Sequence, residues 1–246
     1  HSREKTSSLA EEGGKVGLKV NVPKTKEMRV RYGQNALTNS IGEEDIERVN
    51  TFQYLGSILS TNGGTDEDIQ ARISKSNQAF AMLRNIWKSR SLSLKTKIRI
   101  FNTNVKSVLL YASETWRMTK GLQDKLQTSV NKKLRYITGI WWPKKISNEE
   151  LWRKTDQEPI IVTIKRRKWQ WIGHTLRKES SITKEAFEWN PQGQRKKGRP
   201  KQSWRRTIHE ELHQIGMSWN EAKRTAHNRV RWRATVEALC STWNEK

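Results

Sequence analysis

An excess of positive charge constrains this chain before any motif is read. Its 246 residues carry 48 Lys and Arg against 25 Asp and Glu, a formal net charge of +23. A compact chain that basic repels itself unless a polyanion neutralises it. Nucleic acid is the first candidate and an anionic membrane surface the second. No long basic amphipathic helix or lipidation signal supports the membrane, and no run of 18 apolar residues is present to span one. The length suits one large domain or two smaller ones. The single cysteine, Cys240, excludes an internal disulfide and a multi-cysteine zinc finger. That usage fits a reducing compartment, and Cys240 lies in an apolar segment that predicts burial. The chain starts at His1 with no signal peptide behind it, which reads as a piece of something longer or a degraded copy.

Periodicity divides the chain. The first sixty residues read as short strands and turns after a helix end. "VGLKVNV" and "KEMRVRYG" alternate apolar and polar residues, with Met28, Val30 and Tyr32 on one face. "RVNTFQYLGSIL" is a further strand candidate, ended by a turn at Asn62-Gly63-Gly64. From Thr65 the period becomes helical. Ile69, Ile73, Phe80, Leu83 and Trp87 share a face, behind an acidic first turn at Asp66, Glu67 and Asp68 that suits the helix dipole. Leu94, Ile98, Phe101, Val105 and Leu109 predict a second helix. Leu122, Leu126, Val130, Leu134 and Ile137 predict a third, stopped by Gly139 and "WWPKK". The last hundred residues are helical and basic. "SNEE" and "SWNE" carry the capping-box spacing, and "PQGQRKKGRPK" is a loop by its Pro and Gly content. From Lys165 to Arg206 there are fourteen Lys and Arg against three Glu, a net of +11.

"GLKVNVPKTKEM" (17–28) and "FQYLGSIL" (52–59) together resemble the late palm motifs of a non-LTR, LINE-type reverse transcriptase of RTE-like flavour. The resemblance continues through "LLYASETW", "LRYITGIWWP", "RRKWQWIGHTLRK", "KKGRPKQSWRRT" and "RWRATVEALC", so it covers essentially the whole chain in one order. It implies three parts: a palm remnant with a primer-grip hairpin over 1–64, thumb helices over 65–145, and a basic, Trp-rich helical domain over 146–246. The fold class expected is α+β, predominantly α-helical. The resemblance implies that Phe52, Tyr54, Leu55 and Gly56 form the primer grip, and that Lys24 assists near the incoming triphosphate, where a cation could neutralise the leaving pyrophosphate. Otherwise Lys24 is an exposed strand-end lysine, and the two aromatics are a half-buried strand face. A thumb lays a helix along a duplex and contacts phosphates. Arg72, Lys75, Arg84, Lys88, Lys95, Lys97 and Arg99 are candidates for that role, with Lys26 beside the palm motif. Each alone is better explained by a solvated helix face, and the set together by binding.

The tail adds cations interleaved with tryptophan, a pattern suited to phosphate pairing and base stacking. Arg166, Arg167, Lys168, Arg195, Lys196, Lys197, Arg199, Arg205 and Arg206 are its candidate phosphate binders. "KGRP" also matches a minor-groove hook core, and "RKKGRPK" a nuclear localisation signal. Trp169, Trp171, Trp204, Trp219 and Trp232 recur at helical spacing and are expected mostly in the core.

Two features limit the chemistry. Reverse transcriptases place paired aspartates on two Mg²⁺ ions about 4 Å apart, and no Asp-Asp occurs in this sequence. "GEEDIE" falls in a hairpin and "TDEDIQ" at a helix start. The parent activity implied is RNA-directed DNA polymerase, with Mg²⁺ belonging to the full enzyme. No catalytic residue and no cofactor are assigned to this chain. The second feature is "HEELH" (209–213), a zinc-protease pattern. A catalytic zinc needs a third protein ligand, and no further histidine stands at the spacing that would supply one. Glu211 is a charge where zinc proteases bury that helix, so boundary histidines on an amphipathic helix are the better reading. The partners implied are template RNA, RNA–DNA hybrid and target DNA, without a membrane or a small-molecule substrate, in the nucleus. The rivals are a host-retained DNA- or RNA-binding protein and a non-functional relic.

Overall fold

The computed structural model describes residues 2–29, 39–61, 63–179, 181–189 and 203–241. It divides into two units, His1–Asp68 and Ile69–Lys246. The architecture is α+β and predominantly helical.

The first unit opens with α1 (Ser2–Lys15), followed by short strands: β1 (Lys26–Glu27), β2 (Ser40–Ile41), β3 (Glu44–Asp45), β4 (Glu47–Arg48), β5 (Thr51–Tyr54) and β6 (Ser57–Ser60). They form three two-stranded sheets: β1 parallel to β4, and the antiparallel hairpins β2–β3 and β5–β6. The strand predicted over "VGLKVNV" does not form. Val16 and Leu18 are exposed, and Val22–Lys24 makes a 3₁₀ turn instead. Pro23 fixes φ and removes a ladder donor, and the Asn21 side chain caps the turn by accepting from the Lys24 N–H at 3.0 Å. Of the strand predicted over "KEMRVRYG", only β1 forms among the described residues; Val30 and Tyr32 lie outside them. Ile46 is the one buried apolar side chain described in this unit. Polar bonds do much of the holding. The Glu27 carboxylate accepts from Arg29 Nε at 2.6 Å and Asn39 Nδ2 at 3.1 Å, with Arg48 Nε at 3.7 Å.

The second unit is helical: α2 (Asp66–Met82, whose first turn belongs to the first unit), α3 (Arg84–Lys88), α4 (Leu94–Ile100), α5 (Ser107–Leu109), α6 (Lys120–Thr138), α7 (Asn148–Thr155), α8 (Ile160–Leu176), α9 (Ile182–Ala186), α10 (Trp204–Gln214), α11 (Trp219–Ala226) and α12 (Arg229–Ser241). The apolar spacing read in the sequence is the spacing that packs. Phe101, Val105, Leu109, Leu126 and Leu134 are fully buried in one cluster built from α2 to α8. A second cluster, around Trp169, Ile172, Leu212 and Leu239, is built from α8 to α12. Helix α8 serves both, with Ile160 and Ile164 in the first and Val162, Trp169 and Leu176 in the second. Gly139 ends α6 at φ 66°, a left-handed C-cap that glycine adopts without steric cost. Ser218 and Glu221 form the full capping box that "SWNE" predicted. In "SNEE" the Ser147 hydroxyl caps the Glu150 N–H at 3.1 Å.

The second predicted helix departs from α geometry. Phe101–Lys106 is a π-helical turn between α4 and α5. The Thr103 hydroxyl and Asn104 amide donate to the carbonyls of Arg99 and Ile100, four residues back. Such side-chain bonds compete with the backbone ladder and permit the wider turn.

Candidate nucleic-acid interface

The β5–β6 hairpin places the proposed primer-grip residues together. Its turn is Leu55-Gly56, between the paired Tyr54 and Ser57. Both turn residues have positive φ, 48° and 84°, as a type I′ hairpin requires. Leucine adopts that region reluctantly, so the apex stores strain. Phe52 pairs with Leu59 across the hairpin, and Tyr54 follows Phe52 on the same face. All three are exposed, and Leu55 at the apex is 75% exposed. The hairpin therefore presents aromatic and aliphatic surface. Asp68 holds its second strand, accepting the Ile58 N–H at 2.9 Å. Lys24 is exposed at the end of the 3₁₀ turn. Lys26 is half-buried and bonded to Glu47.

The helices that follow have one-sided charge. From Ile69 to Ser113 there are nine Lys and Arg and no Asp or Glu. Arg84, Lys88, Lys95 and Arg99 are exposed, and Lys75 is half-buried. Arg72 differs: it is 6% exposed, with its guanidinium 4.3 Å over the Tyr111 ring. Lys97 donates to the Trp87 carbonyl at 2.9 Å.

The tail cations mostly turn inward. Arg166 bonds Glu158, with Glu237 at 3.6 Å. Arg167 donates to the Leu110 carbonyl at 3.0 Å. Lys168 is buried on Glu211 at 2.6 Å. Arg205 is half-buried and donates to the carbonyls of Ala186 and Trp189. Arg206 is exposed beside Glu210, at 3.0 Å. Arg195, Lys196, Lys197 and Arg199, with the Gly-Arg-Pro loop, lie outside the described residues. Trp169 and Trp232 are buried, and Trp171, Trp204 and Trp219 pack against the same cluster.

Within "HEELH", His209 and His213 are exposed and Glu211 is half-buried. Glu211 accepts from Lys168 Nζ and Trp169 Nε1, both at 2.6 Å. Among the described residues no three His, Cys, Asp or Glu side chains stand together as a metal-ligand group. No described helix is long and apolar enough to cross a membrane. Burial pushes the Cys240 thiol up to about 11, which keeps it protonated and unreactive near neutrality.

Sequence reasoning missed a cleft of about 900 Å³ between α2, α6 and the segment after α6. In sequence, "WWPKK" reads only as a helix stop. The available signal is the pair Trp141-Trp142 just beyond the C-capping Gly139 and Ile140, where a core position needs at most one of them. Lys133, 6% exposed, lines the cleft and donates to the Ser129 hydroxyl at 2.7 Å. Burial, with Lys132 beside it, brings its ammonium down to about 8. The folded value lies below the unfolded one, so the cost of burying the charge is full below pH 8 and relieved as pH climbs towards the unfolded value. Lys133→Met should raise the melting temperature at pH 7, and the gain should shrink by pH 10. A gain that stays constant across that range would show that the buried charge is not felt.

A family profile for a domain of unknown function (DUF6451) matches residues 79–111, inside the acid-free stretch. The chain is 24% identical over 213 residues to an uncharacterized transposon-derived protein of Caenorhabditis elegans, covering 83% of this chain and 76% of that protein. The similarity supports a transposon origin. No solved structure matches.

Proposed function

We propose that this chain is the nucleic-acid-gripping part of a LINE-type reverse transcriptase, comprising late palm, thumb and basic tail. The observation that carries the proposal is the acid-free helical stretch from Ile69 to Ser113, with Arg84, Lys88, Lys95 and Arg99 exposed. A surface of one sign attracts phosphate and does little for packing. The exposed Phe52, Tyr54, Leu55 and Leu59 on the preceding hairpin suit a primer grip, and the likeness to a transposon-derived protein supports the origin. Among the described residues no carboxylate cluster stands together to hold a pair of Mg²⁺ ions. Nucleotide transfer is therefore assigned to an Asp-Asp palm that this sequence lacks, and Lys24 has at most an assisting role. Template RNA, RNA–DNA hybrid and target DNA are the proposed partners and the nucleus the proposed location. A host-retained binding protein derived from such an element is the second reading, and the likeness to a transposon-derived protein supports it equally. It predicts the same binding with no polymerase at all.

The test uses exposed cations only; Arg72 is left intact because it packs on Tyr111. Reversing Arg84, Lys88 and Lys95 to Glu should weaken binding to an RNA–DNA hybrid. It should also flatten the log K against log salt slope by about 2–3, since each phosphate contact contributes about 0.7–0.9. An unchanged slope would remove this surface from the duplex.

A further inference from the structure

We infer that the cleft after α6 is a binding site for an unpaired nucleic-acid strand, with bases stacked on Trp141 and Trp142 and phosphates held by Lys125, Lys132 and Lys133. This goes beyond duplex gripping but rests on the reading of the chain as a nucleic-acid binder. Trp142 is 83% exposed and Trp141 58% exposed, an unusual state for the largest apolar side chains. Trp141 is not loose. Its ring meets Tyr136 edge to face at 5.3 Å, Tyr136 meets Phe80 at 5.5 Å, and Phe80 stacks on the buried Trp87 at 5.0 Å. An aromatic relay thus fixes the outer ring from the core, and a pre-set ring stacks a base at low entropic cost.

The charged lining is Lys125, Lys132, Lys133 and Arg135 against the single acid Asp124. Lys125 and Lys132 are exposed on α6, while Arg135 is engaged by Asn148 at 2.9 Å and the buried Lys133 by Ser129 at 2.7 Å. Their positive excess argues against a protein partner, because lysine is depleted at protein interfaces. Interleaved aromatics and lysines are the pattern of single-strand sites. The volume, about 900 Å³, lies within the ~300–1,000 Å³ typical of ligand clefts and suits a short run of nucleotides. A duplex cannot offer its base faces to these rings, so the occupant is unpaired. The buried Lys133 adds a second argument. A charge kept in a cleft at a cost to stability marks a candidate functional group, and a phosphate beside it would favour its charged form.

The experiment titrates the full chain into fluorescein-labelled 12-nucleotide oligo(dT), oligo(rU) and an RNA–DNA hybrid, following anisotropy. Trp141→Ala/Trp142→Ala should weaken both single strands at least tenfold, as stacking is worth ~1–3 kcal/mol per base, and change hybrid affinity less than twofold. Trp142→Ala alone, at a side chain 83% exposed, covers the case in which the double variant folds poorly, and Trp142→Phe should restore part of the loss. Single-strand affinity that falls less than threefold in both alanine variants would overturn the site, as would an equal fall for hybrid and single strand. A wild-type chain that binds the single strands but not the hybrid would overturn the duplex-gripping reading and leave this one standing.

Discussion

Gly173→Ala is expected to destabilise the second unit by about 2–3 kcal/mol, against the sign that helix propensity predicts. Gly173 lies inside α8, where alanine would ordinarily be worth up to about 1 kcal/mol over glycine. Here the indole of Trp232 lies across the helix backbone. A methyl group on Gly173 would sit 1.9 Å from Trp232 Nε1 and 2.5 Å from its Cδ1 and Cε2. The ring cannot retreat easily. Its N–H donates to the Trp169 carbonyl at 3.1 Å, its plane leans on the Trp169 ring at 6.0 Å, and Trp232 is 4% exposed. Overpacking a filled site typically costs about 1–3 kcal/mol, more when the obstacle is a rigid ring. The clash therefore outweighs propensity. A double-mutant cycle checks the cause. Trp232→Ala costs about 3–5 kcal/mol alone, but in its background Gly173→Ala should become neutral or stabilising. If the Gly173 substitution is equally harmful in both backgrounds, the close approach of α12 to α8 is not its origin.

Gly173 also marks what a single sequence leaves unread. The Leu and Ile spacing of α6 and the stop at Gly139 are local, and they were legible because one helix writes both signals within twenty residues. The hairpin was half legible. Its aromatic strand was read, but Leu55-Gly56 is a poor turn signal because leucine rarely takes positive φ, whereas Asn62-Gly63-Gly64 is a strong one. The first unit's other strands are two residues long, too short to leave an alternation. Cations were the least legible feature. Arg84 and Lys168 look alike in sequence, and which one meets solvent depends on partners far along the chain: Arg167 reaches back to Leu110 and Lys168 forward to Glu211. The cleft at Trp141 and Trp142 was missed for the same reason, since its opposite wall, at Gln70, Ile73 and Phe80, comes from α2.

Glu211→Ala is expected to cost about 3–5 kcal/mol, the loss that follows when one partner of a buried ion pair is removed. Glu211 is the residue that "HEELH" places where a zinc protease has an uncharged one. One of its oxygens accepts from Lys168 Nζ and the other from Trp169 Nε1, both at 2.6 Å. The Lys168 side chain is 8% exposed and that of Glu211 18%, so water cannot replace the lost carboxylate at Lys168. Removing it strands an ammonium and an indole N–H together, and each unsatisfied donor carries its own desolvation penalty. Glu211 also offsets the burial of Lys165, whose ammonium burial already lowers. Lys168→Met combined with Glu211→Leu should recover most of the loss, because an apolar replacement of both partners leaves only the indole unpaired. His209→Ala and His213→Ala, at exposed positions, should stay within about 0.5 kcal/mol of wild type. Urea midpoints with and without Zn²⁺ separate the two accounts of this helix. A packing role predicts that Zn²⁺ leaves the wild-type midpoint unchanged and that Glu211 variants alone shift it. Stabilisation by Zn²⁺ that His213→Ala abolishes would return the helix to metal binding, because a ligand that binds only the folded state must raise its stability.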